Sequence, residues 1–476
     1  MVDRDGAWCC VRVASFIPIT FLAGALAMTQ TLRHAHAQLA VDVRQPLIVA
    51  TYWQHFGATA SAVLLCALLI AGIFYAVTLL DAWKGRPLQL GGICLVSAFA
   101  CAAALAFPVV FSSDVYAYAA YGSMVLHGID PYAHAWLSVR DPLLDAALWQ
   151  WGNPLPACVY GPAFVALAAL IVAVFSPLGA AAPLLALRIC SCIALVLCAP
   201  SAYALLSRRS ERLGLSAAVG IALNPVAIWS CAEGHNDAIA LACALAAISL
   251  AVRGKTFLGS LLVPAAALIK LPALAIAAVF ALYARSRATL RAPVTSGLAW
   301  GAACALVLCI PLLEAFTHGI ARSGRYQPAF SLQAALGFVM PMPAAAGLTL
   351  LLCAGAAYAG LRSLYRGQVA GCALVALAAW SAIPNPYPWY SIWTLPTAFL
   401  AEDLVTASAV IAVGFIACTR YYAEATTLAA PALSVTLSLA QGVPLIVVII
   451  ARMFRARRAR LESRTAAPDF APLHFP

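Results

Sequence analysis

Between Phe111 and Pro162 the chain gathers residue types that could do chemistry on a sugar. Asp114 is followed by Tyr116, Tyr118 and Tyr121, then by Gly128-Ile129-Asp130-Pro131-Tyr132, and the stretch closes on Tyr160-Gly161-Pro162. It holds four of the 17 carboxylates (Asp114, Asp130, Asp141, Asp145) of a chain that is 64% hydrophobic. A carboxylate at a membrane boundary can take the proton of an attacking hydroxyl, and is costly there unless solvated or useful. The plain alternative for Asp114 is a helix cap, since Ser112-Ser113-Asp114 could open the next helix. In Gly-x-Asp-Pro-Tyr a left-handed turn accounts for Gly128 and Pro131. It does not call for both Asp130 and Tyr132, which suit hydrogen bonding and stacking on a pyranose. Tyr160 alone could be an interfacial anchor.

Three further clusters lie in the apolar remainder. Glu233-Gly234-His235-Asn236-Asp237 follows Asn224-Pro225, an expected helix break. Asn236-Asp237 could merely cap a helix, but three titratable groups in five residues exceed what a cap needs, and ionisable residues at membrane depth mark substrate or ion paths. His235 has no second histidine at ligand spacing, so no metal site is expected. Lys270 is the only charge between Phe257 and Ala284, with twelve or more apolar residues on either side. It is too far from a boundary to snorkel, and could meet a phosphate diester. Asn385-Pro386-Tyr387-Pro388-Trp389-Tyr390 offers interfacial aromatics or a platform for a sugar or lipid, and Arg325 is a weaker candidate for phosphate contact.

The elements that must position these residues are apolar helices. Mean hydropathy is +0.93 and charged residues make up 9% of the 476, which points to an all-α, polytopic membrane bundle and excludes a soluble enzyme. A spanning helix needs about 20 apolar residues. Such runs occur near 13–32, 57–82, 91–111, 157–176, 180–206, 213–231, 236–252, 257–283, 293–316, 341–361, 367–384, 388–401, 404–419 and 427–451. The run at 257–283 reads as one helix or as two half-helices around Lys270–Pro272. About 12–14 spans are expected in one domain over 1–451, with 112–156 as a first large outer loop carrying short helices. The first run reads as a retained helix rather than a cleaved signal. Residues 452–476 read as a basic, disordered cytoplasmic tail.

The formal charge of +11 is no sign of nucleic acid. Arg and Lys cluster in short loops (Lys84–Arg86, Arg208–Arg212, Arg253–Lys255, Arg285–Arg291, Arg362–Arg366) and in the tail, the pattern of cytoplasmic loops. That places Asp114 on the outer face. Between Asp114 and Arg208, however, two apolar runs stand where the charge rule asks for an odd number. The 16 cysteines are mostly scattered singly and read as small apolar filler. No internal repeat is visible. Nor is there a glycine-rich phosphate loop or nucleotide fingerprint, so no cofactor is expected, and any sugar donor would have to be activated and already in the membrane.

FSSDVYAYAAYGSMVLHGIDPY, VYGPAF, NPVAIWSCAEGHNDAIAL, ALIKLPALA and PYPWYSIW resemble, in kind and order, the GT-C glycosyltransferases, and most of all the bacterial polyprenol-phosphate-mannose-dependent α-1,6-mannosyltransferases. The resemblance runs from about Phe111 to Trp393. It implies a multi-pass enzyme of the cell membrane with its site on the outer face and Asp114 as catalytic base. The donor would be a sugar, mannose by resemblance alone, β-linked through phosphate to a polyprenol. The acceptor would be a glycan or lipoglycan hydroxyl, and the transfer would invert the anomeric centre without nucleotide or metal. Donor and acceptor contacts are expected from Tyr116, Tyr118, Asp130, Tyr132, Tyr160, His235, Asn236, Asp237, Lys270, Arg325, Trp389 and Tyr390. A flippase or other transporter of lipid-linked sugars is the rival reading, and a structural membrane subunit a third.

Overall fold

A computed structural model describes residues 13–39, 49–133, 141–152, 155–323, 328–426 and 431–465. Among them there is no strand; the chain is an all-α, polytopic bundle. Its helices are α1 (Phe16–Leu39), α2 (Val49–Trp83), α3 (Leu90–Ala104), α4 (Asp114–Leu126), α5 (Pro142–Trp151), α6 (Pro162–Phe175), α7 (Ala181–Leu206), α8 (Glu211–Ala222), α9 (Pro225–Ala232) and α10 (Asp237–Val252). They continue as α11 (Thr256–Ala267), α12 (Ala275–Ser286), α13 (Ala288–Ser323), α14 (Leu332–Gly337), α15 (Met342–Tyr365), α16 (Gly371–Ala382), α17 (Leu404–Thr426), α18 (Pro431–Ala440) and α19 (Val443–Thr465).

One core joins α1–α3, α7–α9, α16 and α17 around fully buried Trp229, Phe21 and Phe399. Outward-facing leucines, isoleucines and phenylalanines such as Ile73, Phe99, Leu170, Leu197 and Leu351 stay exposed. An apolar core beneath an apolar exterior is what lipid, rather than water, as solvent permits.

Fewer helices cross in one straight piece than the apolar runs suggest. Among the described residues five are long and apolar enough: 57–83, 181–206, 288–307, 342–365 and 404–426. Two pairs bent by 42° could each make one span, and five more apolar helices have only 10–17 residues, short of the bilayer's need. The breaks have local causes. At Asn224-Pro225 the proline removes a donor. Asn224 caps α9 through Ala227 N, while Tyr75 and Ser97 donate to the freed carbonyls of Gly220 and Ala222. The run 257–283 resolves into two helices around a short 3₁₀ turn, Leu271–Leu274. The run 388–401 is not a regular span: prolines at 384, 386, 388 and 396 leave two 3₁₀ turns, Pro388–Trp393 and Leu395–Thr397.

The odd-crossing puzzle has a geometric answer. Asp114 at the start of α4 meets Tyr160 just before α6, and Gly122 lies against Ala168, so α4 and α6 run side by side away from Asp114. α7 runs back past this level, where Arg188 donates to Ala232 O, Leu105 O and Phe107 O, and continues to the basic loop at Arg208. That loop joins others at one end of the bundle. Arg209 pairs with Glu402, Arg455 with Asp403, and Arg452 donates to Ser363.

The tail corrects one expectation. Residues 452–465 continue α19 as helix: Ala, Arg, Leu, Met and Glu are strong helix formers, Arg452 donates to Ser363 and Arg455 pairs with Asp403, while 466–476 lie outside the described residues.

Candidate functional site

Four breaks in the bundle converge on one point. They are the start of α4, the loop before α6, the link between α9 and α10, and the 3₁₀ turn after α11; the aromatic turn after α16 closes over them. Asp114 is the first residue of α4, but it does not cap it. Ser113 is the cap position and its side chain makes no cap hydrogen bond; Ser112 Oγ accepts from Asp114 N at 3.2 Å. The carboxylate turns inward instead, with its side chain 16% exposed. Its Oδ2 accepts from the hydroxyls of Tyr118 and Tyr160, each at 3.3 Å, and lies 3.4 Å from His235 Nδ1. Among the described residues Oδ1 accepts no hydrogen bond. The last contact is long for a hydrogen bond and works mainly through charge and dipole. It calls for the tautomer that carries its proton on Nδ1.

Burial alone would raise the Asp114 carboxyl. His235, Lys270 and Tyr160 together outweigh it and hold the group below the usual carboxylate value. Burial and the charge of Asp114 push the Tyr118 and Tyr160 phenols well up, so both remain proton donors.

Lys270 forms the second centre. Its Nζ donates to Asp237 Oδ2 at 2.6 Å and Asn236 Oδ1 at 3.2 Å. It stands 5.5 Å from the ring centre of Tyr160 and 5.3 Å from that of Tyr390. Trp393 Nε1 donates to the other oxygen of Asp237 at 2.7 Å. Asn236 and Asp237 therefore do not act as side-chain caps; they hold the lysine. An ammonium has three donors, and two are spent here. The third is available to a ligand, and the lysine side chain is 12% exposed.

The chain brings Tyr160 to Lys270 by close backbone contact. Gly161 N and Ala163 N donate to Ile269 O and Leu268 O. A Cβ on Gly161 would stand 1.9 Å from Leu268 O, so only glycine fits.

Of the residues singled out in the sequence, Asp114, Tyr118, Tyr160, His235, Asn236, Asp237, Lys270, Trp389 and Tyr390 form one cluster. Trp389 stacks on His235 with ring centres 3.8 Å apart. Three do not join it. Asp130 accepts from Tyr132 N in a tight turn. Tyr132 is buried, and its hydroxyl donates to Tyr160 O. Tyr116 sits on another side of α4, near Glu233 and Arg188. Gly128 has φ +69°, the left-handed cap expected of it. Arg325 lies outside the described residues.

Sequence reasoning missed Trp393, Arg188 and Arg420. Arg188 is a lone charge in an apolar run, the same signal that exposed Lys270, whereas Arg420 directly follows the run 404–419 and has Glu424 four residues on. Among the described residues no group of three or more His, Cys, Asp or Glu side chains is arranged to hold a metal.

The model for the N-terminal domain of the alpha-(1->6)-mannopyranosyltransferases matches residues 14–286, more than half of the chain and every cluster residue up to Lys270. The chain belongs to this family. Alpha-(1->6)-mannopyranosyltransferase A of Mycobacterium tuberculosis is 30% identical over 162 residues, which is 34% of this chain and 31% of that relative. The match thus spans about a third of the relative's length. No solved structure matches. Within this mannopyranosyltransferase family chain, Trp389, Tyr390, Trp393 and Arg420 lie beyond the matched region and complete the cluster from the C-terminal part.

Proposed function

We propose that this chain is a membrane mannosyltransferase that moves mannose from a polyprenyl-phosphate donor to a hydroxyl of a glycan or lipoglycan, on the outer face of the membrane. The observation that carries the reading is the pairing of an inward-turned carboxylate set among the Tyr118, Tyr160 and His235 donors with an ammonium that spends two of its three donors on Asn236 and Asp237. The two are bridged by Tyr160, whose hydroxyl bonds Asp114 and whose ring lies beside Lys270.

The acceptor hydroxyl gives its proton to Asp114 Oδ1 as its oxygen bonds to the anomeric carbon. The bond from that carbon to the phosphate oxygen breaks, and its electron pair leaves with the polyprenyl phosphate. Lys270 meets the charge that develops there. Attack from the face opposite the phosphate turns a β-linked donor into an α-mannoside. Tyr390 presents aromatic surface to the sugar, and no nucleotide is needed because the donor arrives activated.

Two features support the outer face. The arginine loops gather at the far end of the bundle from Asp114, and cytoplasmic loops are the basic ones. A transporter of lipid-linked sugars would need the lysine but not a carboxylate set among proton donors.

The test is purified protein in liposomes with radiolabelled polyprenyl-phosphate-mannose and an octyl α-mannoside. The reading expects a labelled disaccharide glycoside with an α linkage. Movement of the donor across the bilayer with no new glycosidic bond would favour the transporter.

A further inference from the structure

Behind Trp389 lies a buried charge that this chemistry does not use. Arg420, on α17, is 3% exposed. It gives Nε and Nη2 to Glu424 Oε1 at 2.9 and 2.6 Å, and Nη1 to Asn385 Oδ1 at 3.2 Å and Pro386 O at 3.3 Å. Its guanidinium carbon stands 3.9 Å over the ring centre of Tyr387. Tyr387 stacks on Trp389 at 4.5 Å and 10°, and Trp389 on His235 at 3.8 Å and 16°. A continuous run of stacked planar groups therefore leads from a fixed guanidinium to the imidazole beside Asp114.

The imidazole needs such support. A functional histidine is ordinarily oriented by a hydrogen bond at its second nitrogen. His235 is 1% exposed and neither ring nitrogen makes a well-formed hydrogen bond. Stacking on Trp389 is what sets its plane. Trp389 is in turn carried on the proline-rich turn that Arg420 ties down at Asn385 and Pro386.

We propose that Arg420 is a positioning residue that acts through Tyr387 and Trp389 to hold the plane of His235 against Asp114. This rests on the reading of Asp114 as the base. Arginine suits the role because a planar guanidinium can stack on a ring while its edge is fully hydrogen-bonded. Lysine keeps the charge and loses the plane.

The test uses the full chain in liposomes with polyprenyl-phosphate-mannose and an octyl α-mannoside. It compares wild type with Tyr387→Leu, Tyr387→Phe, Arg420→Lys and Asp114→Asn, each checked by thermal melting. A misplaced catalytic group costs on the order of 100-fold in rate. Tyr387→Leu and Arg420→Lys should lose about that in kcat at an unchanged donor KM, and Tyr387→Phe should recover most of it. The acid limb of kcat/KM should also rise. Asp114 is faced by Tyr118 from its own helix, Tyr160 from the loop before α6, His235 from the α9–α10 link and Lys270 from the turn after α11, with Tyr390 nearby. Displacing the imidazole removes one of the groups that favour its charged form. A residue that only held the turn together would not move that limb.

Wild-type kcat and an unmoved limb in Tyr387→Leu would overturn the proposal. This variant leaves every hydrogen bond of Arg420 in place, so it decides the matter even if Arg420→Lys does not fold. Wild-type transfer by Asp114→Asn would instead overturn the base reading, a separate result.

Discussion

Replacing Lys270 with methionine separates what the lysine does for the fold from what it does for the donor. Asp237 is 2% exposed at its side chain and Lys270 12%. Their 2.6 Å contact is thus a nearly desolvated ion pair. Lys270→Met leaves a buried carboxylate with only Trp393 Nε1 as hydrogen-bond partner, and breaking such a pair from one side costs about 3–5 kcal/mol. Asp237→Asn in the same protein removes the stranded charge and keeps an oxygen for Trp393, so most of that loss should return. The donor does not follow stability. If the third ammonium donor meets phosphate, losing one charge-assisted hydrogen bond weakens donor binding by about 1.5–3 kcal/mol, or roughly 10- to 150-fold. The double variant should stay equally weak. Chemical unfolding of the four proteins of the cycle gives the stability coupling, and titration with polyprenyl-phosphate-mannose gives the affinity. Additive losses of stability would refute the pairing. Recovery of donor affinity in the double variant would refute the phosphate contact.

Other substitutions probe the scaffold. Gly161→Ala drives a Cβ into Leu268 O and should cost about 3 kcal/mol or more, read as a lowered Tm together with weakened transfer; an unchanged Tm would contradict the close approach. Glu233 sits in the polar link after α9, and burial lifts it to about 8 from an ordinary 4.5. The folded protein then holds a proton that the unfolded chain releases, so stability is full below the unfolded value and falls as pH rises toward the folded one. Glu233→Gln, which mimics the protonated form, should show a Tm advantage that grows between about pH 5 and pH 8 and then levels off. An advantage independent of pH would show that Glu233 does not titrate in that window.

Much of the site was legible because polar residues are so scarce in this chain. Asp114, the His235–Asp237 cluster and Lys270 stood out as charges in apolar surroundings, and the structure gathers them although they lie more than 150 residues apart. Local turn chemistry did not show where Asp130 and Tyr132 would lie relative to that cluster. Asp130 and Tyr132 looked surplus to their turn, yet Asp130 closes it and the Tyr132 hydroxyl donates to Tyr160 O. Such a partner at 28 residues' distance leaves no periodic signal. Span counting failed for a related reason. Hydropathy marks apolar runs but not whether proline and asparagine break them, so 388–401 read as a span when it is two turns carrying the aromatic wall of the site. Arg188 was hidden inside the run 180–206, and Arg420 directly follows the run 404–419. Their partners are carbonyls, rings and a glutamate four residues away, contacts that only the folded chain displays.

The central claim is that Asp114 takes the proton. The most direct measurement is single-turnover transfer from radiolabelled polyprenyl-phosphate-mannose to an octyl α-mannoside by wild type and Asp114→Asn, with donor binding measured on the same preparations. Loss of a positioned base costs about 100- to 10,000-fold in rate. The account predicts a loss in that range with donor affinity and Tm retained. Transfer by Asp114→Asn at the wild-type rate would contradict it.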